Sequence, residues 1–156
     1  MQSLDSEQKQ RATISASKVR NNQVAAANQD NLVLNYEGIK GSDLTSQQRL
    51  YLLNVIRSFV GALRDPHAEV TMEEVGQYLD DTYFAWIGES EDDSVFYYRI
   101  HSPVILIEFD HQGPVGTLHK NPAGVPTRDH IHTVVRTPNG NDYGKDLLAQ
   151  HLAREH

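Results

Sequence analysis

The sequence contains no cysteine, which excludes disulfide bonds, thiolate zinc sites and cysteine nucleophiles. It also lacks any apolar run near the roughly 20 residues that a helix needs to span a bilayer. Its first residues show no basic segment followed by an apolar one, so we expect neither a transmembrane helix nor a signal peptide. The default expectation is therefore a cytoplasmic location.

Basic residues are also scarce, with 14 Lys and Arg against 21 Asp and Glu and a formal net charge of −7. An acidic chain repels phosphate backbones and anionic lipid, so we expect no nucleic-acid partner and no membrane partner. The sequence has no Gly-x-Ser-x-Gly elbow, no phosphate-binding glycine loop and no dinucleotide fingerprint. This argues against serine hydrolases, nucleotidases and Rossmann enzymes.

Helices are predicted in the first half of the chain, where apolar residues recur at three- and four-residue spacing. The strongest covers 43–64 and begins with a capping box formed by Thr45 and Gln48. A second helix covers 72–80. A weaker helix within 3–18 precedes an irregular segment rich in Asn and Gln.

From residue 82 the apolar pattern changes to a period of two, which is typical of strands. Short connections between consecutive strands favour an antiparallel meander. We therefore predict an α+β fold, with an antiparallel sheet of about four strands and helices packed on one face. Residues 1–30 would form an N-terminal helix and irregular segment, and 31–156 a single domain carrying the functional site. The predicted strands cover 82–88, 94–101, 104–111 and 130–137, and a last helix begins at Asp142 or Gly144.

Histidine is unusually frequent, with eight residues in the chain and seven of them from His101 onward. Alternation along the last predicted strand places His130, His132 and Arg136 on one face. A His-x-His pair on a strand can give two imidazole ligands to one divalent metal ion, which would be zinc, iron, copper or manganese. His111 or His101 is the candidate third ligand.

Glu108 and Asp110 interrupt a run of Val, Ile, Leu and Phe in the third predicted strand. A buried carboxylate is costly unless it is paired or hydrogen-bonded. The two residues are therefore expected to serve as metal ligand or general base, or to pair with Arg136 or Arg99 in a structural network. The two-histidine face stands beside these carboxylates or beside His111, depending on a strand register that the sequence does not fix.

Together these residues predict a metal-dependent enzyme that acts on a small molecule. The ion would activate water or dioxygen, or polarise a substrate oxygen. Arg136 would orient an anionic group of the substrate, and Tyr143 would donate a proton. Two alternatives stay open: a metal-free enzyme in which His132 and Glu108 exchange protons, and a non-catalytic binding or scaffolding domain with a structural polar network. Exposed strand edges would also favour a homo-oligomer.

Four stretches of the sequence have a more specific character: TYFAWIG at 82–88, YYRIHSP at 97–103, EFDH at 108–111, and the run from HIH at 130–132 to DYG at 142–144. They resemble motifs of the family called domain of unknown function 3500, over about residues 30 to 152. Members of that family are typically longer and carry an upstream Gly-His-His-Leu-type motif that has no counterpart here. The resemblance implies that this chain is similar to the C-terminal part of such a protein. It also implies that the missing upstream region, or a partner chain supplying histidines, completes the site.

Overall fold

The computed structural model describes residues 1–25 and 33–138, so the predicted last helix lies outside the described residues. Within these ranges the fold is α+β, as predicted. The helices are α1 (Ser6–Ala12), α2 (Ser46–Val60) and α3 (Asp65–Gln77). The strands are β1 (Thr13–Ser15), β2 (Ile39–Lys40), β3 (Tyr83–Gly88), β4 (Phe96–His101), β5 (Leu106–His111) and β6 (Ile131–Arg136).

The residues at the start of each of the two longer helices explain where the helix begins. In α2 the side chain of Thr45 accepts a hydrogen bond from the main-chain N–H of Gln48, and the side chain of Gln48 accepts one from the main-chain N–H of Thr45. These two bonds form the predicted capping box. Helix α3 begins at Asp65, well before the predicted start at residue 72. Proline at the next position is compatible with a first helical turn, where an N–H has no intrahelical partner. The start of this helix was therefore predicted too far along the chain.

Strands β3 to β6 form the predicted antiparallel meander, in the order β3-β4-β5-β6. The prediction of a purely antiparallel sheet of about four strands was wrong, because the sheet formed by the described residues is mixed and has six strands. Strand β1 pairs with β3 in parallel and β2 pairs with β3 in antiparallel orientation. With three and two residues, these strands are too short to show a period-two pattern.

The two longer helices cover one face of the sheet, as predicted. Their apolar faces pack against Ile100 of β4 and Ile107 of β5, both of which are fully buried. Burying each such side chain contributes roughly 1.5–3 kcal/mol. The buried members of this core are Leu52, Ile56, Val60, Val75, Leu79, Ile100, Ile105 and Ile107.

The opposite face of the sheet is polar and lies under the N-terminal segment. Residues 22–25 contact the carboxylates of β5 on this face. Tyr36 stacks on Tyr83 and contacts the ring of His101 in a tilted arrangement near the other end of the strands. Residues 1–25 thus take part in the same fold, while the division at residue 30 stays a prediction. None of the helices in the described ranges is long and apolar enough to cross a membrane.

Candidate functional site

The pairing of β5 with β6 fixes the register that the sequence left open. Asp110 lies directly opposite His132, and Glu108 lies opposite Val134. Residues opposite each other in an antiparallel pair point to the same face of the sheet. The two-histidine face therefore stands beside the carboxylates, and His111, opposite Ile131, points to the helix face.

Glu108 is fully buried on the polar face, with both carboxylate oxygens in hydrogen bonds. Its Oε1 accepts from the main-chain N–H of Val24 at 2.9 Å and from the hydroxyl of Tyr97 at 2.6 Å. Its Oε2 accepts from the N–H of Ala25 at 2.8 Å. These three donors satisfy a carboxylate that has left water.

Asp110 is also fully buried and continues the same pattern. Its Oδ2 accepts from the main-chain N–H groups of Asn22 at 2.8 Å and Gln23 at 3.0 Å, and from the side-chain amide of Gln112 at 3.0 Å. Its Oδ1 forms an ion pair with Nζ of Lys18 at 3.1 Å. We call Glu108, Asp110 and the main chain of residues 22–25 the carboxylate clamp, because the two side chains hold that segment against the sheet.

Burial shifts the pKa of two groups around the carboxylate clamp. It lowers the pKa of Lys18, and the neighbouring Asp110 carboxylate opposes part of that shift. Burial, followed by the nearby charge of Glu108, raises the pKa of Tyr97 well above its ordinary value. Tyr97 therefore keeps its proton at neutral pH and acts as a hydrogen-bond donor to Glu108.

Arg99 was one of the two predicted partners of the carboxylates. It lies directly opposite Glu108 across β4 and β5 and is 4% exposed. Its guanidinium forms an ion pair with the half-exposed carboxylate of Glu37. The ion pair of Arg99 is thus made with Glu37, an acidic residue that the sequence analysis did not single out, and its predicted pairing with Glu108 or Asp110 stays a prediction.

The histidine pair consists of His130, just before β6, and His132 within it. Their Nε2 atoms lie 3.0 Å apart, and their rings are nearly perpendicular, at 86°. Nδ1 of His130 is hydrogen-bonded to the main-chain carbonyl of Gly113. Because a carbonyl only accepts, the proton of the neutral imidazole is on Nδ1 and its Nε2 presents a lone pair. His130 is half-buried and His132 is exposed.

The two candidate third ligands lie away from this pair. His101 is buried on β4, two strands from β6, with its ring 4.4 Å from that of Tyr36. His111 is buried on the helix face, where its Nδ1 accepts from the main-chain N–H of Phe96 at 2.9 Å. Burial lowers the pKa of His111, and this shift is partly opposed by the hydrogen bond that a protonated Nδ1 donates to the main-chain carbonyl of Phe96, 3.1 Å away. Among the described residues, no group of three or more His, Asp or Glu is arranged to hold a metal ion.

Of the two remaining predicted site residues, Arg136 is among the described residues and Tyr143 is not. Arg136 lies at the end of β6, half-buried, on the same face as His132 and opposite Leu106. Tyr143 lies outside the described residues. Its predicted role as proton donor stays a prediction.

Sequence reasoning missed the donors of the carboxylate clamp. Main-chain N–H groups carry no sequence signal, and Lys18 stands in a segment predicted to be helical or irregular. Tyr97 could have been found, because alternation on the strand places it on the face of Arg99.

The site thus belongs to an α+β domain that combines a buried carboxylate clamp with a histidine pair near the edge of its sheet. The chain is a member of the family described as Protein of unknown function (DUF3500), whose model matches residues 1–145. This confirms the family expected from the four motifs and extends the match across the N-terminal segment. No curated protein and no solved structure matches the chain.

Proposed function

We propose that this domain binds a divalent transition-metal ion through Nε2 of His130 and Nε2 of His132, and that the ion serves a reaction on a small molecule. The supporting observation is the 3.0 Å separation of the two Nε2 atoms. Imidazole nitrogens bind zinc at about 2.0–2.1 Å, so two ligands that subtend a near-right angle at one ion lie about 3 Å apart. The pair can therefore approach one ion with little movement.

The hydrogen bond from His130 to Gly113 adds a second argument. Histidines that bind metals nearly always donate their other ring N–H to a carbonyl, a carboxylate or water, which fixes the tautomer and the ring orientation. Nδ1 of His130 makes a bond of this kind, to the carbonyl of Gly113.

The carboxylates contribute rigidity in this proposal, and neither is used as a ligand or as a base. Glu108 faces Val134, and its oxygens already accept three hydrogen bonds. This counts against proton exchange between His132 and Glu108 without a metal. The hydrogen bonds favour the structural-network alternative for the carboxylates, and that role is compatible with metal binding by the neighbouring histidines.

Two imidazole ligands leave coordination positions for a further protein ligand and for water or substrate. An ion in such a position can polarise a substrate oxygen or lower the pKa of bound water. Arg136 lies four residues beyond His132 on the same face, about 13 Å along the strand. It would reach an anionic group at the far end of a substrate bound to the ion.

Metal content tests the proposal. We would purify the chain without a histidine tag and measure bound metal in the wild type, in His130→Ala/His132→Ala and in His119→Ala. His119 is exposed in the loop between β5 and β6 and serves as the matched control. The expected result is bound metal in the wild type and in the control, and its loss in the double variant.

Two results would contradict the proposal. One is no metal in the wild type after incubation with zinc, iron, copper and manganese. The other is equal metal in the wild type and the double variant, which would locate the ion elsewhere.

A further inference from the structure

Strand β6 is an edge strand of the sheet. It pairs with β5 on its inner side, and none of the described residues pairs with its outer side. Its side chains are mostly exposed, including Ile131 at 45% and Val135 at 48%. Edge strands are usually protected by charged side chains, proline or a bulge, and the sequence of 131–136 has no proline and a single charged residue of this kind, Arg136 at its last position. An edge of this kind is suited to pairing with another strand.

The main-chain groups that point outward can be identified from the hydrogen bonds on the inner side. The carbonyl of His130 accepts from the N–H of Gln112 at 2.9 Å, so the main chain of His130 faces β5. In an antiparallel strand the direction alternates from residue to residue. The N–H and C=O groups of Ile131, Thr133 and Val135 therefore point away from the sheet.

We propose that a second copy of this chain pairs its β6 with this edge in antiparallel orientation, and that the two histidine pairs share one metal ion. This inference rests on the proposed function, because it names the partner that completes the same site. The described residues of one copy provide two imidazoles, and first-row divalent ions take four or more ligands.

The register follows from the positions of the histidines. If Ile131 lies opposite Ile131 of the second copy, their outward N–H and C=O groups exchange two hydrogen bonds. His130 then lies opposite His132 of the second copy, and His132 opposite its His130. These are non-hydrogen-bonded pairs, whose Cα atoms are only about 4.5 Å apart. All four imidazoles lie on the same face, around the two-fold axis.

With four imidazole ligands, the identity of the metal ion decides whether a coordination position stays open for substrate. Four imidazoles close the coordination sphere of a tetrahedral zinc ion, which is the property of a structural site. The same four leave two positions on a six-coordinate ion such as iron or manganese, where substrate and water can bind. A single pair of short strands is a small interface compared with the roughly 1,200 Å² of a stable complex, so the dimer should depend on the ion.

The test is sedimentation of the untagged full chain, metal-free and during titration with zinc and with iron, together with the metal-to-chain ratio. The expected result is a metal-free monomer and a metal-bound dimer with one ion per two chains. Removing the metal with a chelator should restore the monomer. The double variant His130→Ala/His132→Ala should stay monomeric throughout.

Two matched variants test the register while leaving the histidines intact. Ile131→Lys places two like charges opposite each other at the centre of the pair, on the face away from the ion, and should weaken dimerisation at least tenfold. Val135→Lys changes a side chain of similar exposure that lies beyond this central pair, and should dimerise like the wild type.

Each outcome bears on a different claim. One ion per chain on a monomer would overturn the shared site and leave the proposed function standing. No bound ion would overturn both. A dimer that survives Ile131→Lys and is lost in Val135→Lys would overturn the register and, with it, the four-histidine centre.

Discussion

Strands β5 and β6 are neighbours, and each contributes polar side chains to the same face, yet the two sets have opposite environments. The carboxylates of β5 are fully buried under the N-terminal segment, and their oxygens accept bonds from its main chain. The histidines near the edge strand reach solvent, with two Nε2 atoms facing each other. Asp110 and His132 are directly opposite each other. Their environments differ because β5 lies inside the sheet, whereas β6 lies at its edge.

This comparison shows that a polar residue in an apolar strand is not by itself evidence for catalysis. Glu108 and Asp110 looked like a general base or metal ligands because carboxylates are costly to bury. The structure offsets that cost with hydrogen bonds and an ion pair to residues far away in sequence. Nε2 of His130, in contrast, has Nε2 of His132 as its hydrogen-bond partner at 3.0 Å, on a part of the sheet that is exposed to solvent.

The largest expected effect is on the carboxylate clamp. Asp110→Ala leaves Lys18 as an unpaired cation in a buried position and removes the acceptor for three N–H groups. We expect a loss of about 3–5 kcal/mol in the free energy of unfolding, measured by urea denaturation. Asp110→Ala/Lys18→Met should be less destabilised, because the unpaired charge is removed. A loss below about 1 kcal/mol in the single variant would mean that the clamp is not structural.

The next effect concerns the histidine pair and depends on metal. At a free metal concentration of about one hundred times Kd, the wild type should gain about 2.7 kcal/mol of unfolding free energy. His130→Ala/His132→Ala should lose this gain and differ from the metal-free wild type only by the hydrogen bonds that it removes, about 1 kcal/mol each. Thermal denaturation with and without zinc measures both. Equal stabilisation of the wild type and the variant by zinc would mean that the metal does not bind through these histidines.

Two adjacent tyrosines of β4 sharpen the contrast between the faces of the sheet. Tyr97 donates to Glu108 on the polar face, whereas Tyr98 lies on the helix face, stacked on Phe109 with ring centroids 5.2 Å apart. Burial raises the pKa of Tyr98 to about 12. Tyr97→Phe should cost about 1–2 kcal/mol, because it leaves a buried charged acceptor with one donor fewer. Tyr98→Phe should change stability by much less, and equal losses in urea denaturation would contradict the contrast.

The smallest effect is a pH dependence from His111. Its pKa is lowered in the folded state by burial, so the unfolded chain binds a proton first as the pH falls. Stability should therefore decrease below about pH 6.5, the ordinary pKa of histidine, until the lowered pKa is reached. His111→Gln should show a shallower decrease between pH 7.5 and 5.5 in urea denaturation. His67→Gln, at an exposed position of α3, is the control and should follow the wild type.

Much of the fold could be predicted from the sequence, because α2 and the strands β3 to β6 carry strong local signals. Thr45 and Gln48 mark a helix start by direct side-chain bonds, and period-two alternation marked the meander. Strand β1 could not be predicted, since its three residues are paired in parallel with β3 through a contact made only in the folded chain. Its local sequence resembles the end of a helix.

The candidate site was predictable in composition and less so in arrangement. Alternation placed His130, His132 and Arg136 on one face, and the structure has Arg136 and His132 on that face. Alternation could not decide whether Asp110 or His111 lies beside the two histidines, because a register shift of one residue exchanges the two faces of a strand. The clamp around Glu108 was beyond sequence reasoning, since its donors are main-chain groups.

The most direct test of the central claim is anomalous diffraction from a crystal of the untagged chain soaked with zinc, recorded at the metal absorption edge. The account predicts an anomalous peak about 2.0–2.1 Å from Nε2 of both His130 and His132. A peak bound by other residues, with these two imidazoles still hydrogen-bonded to each other, would contradict it.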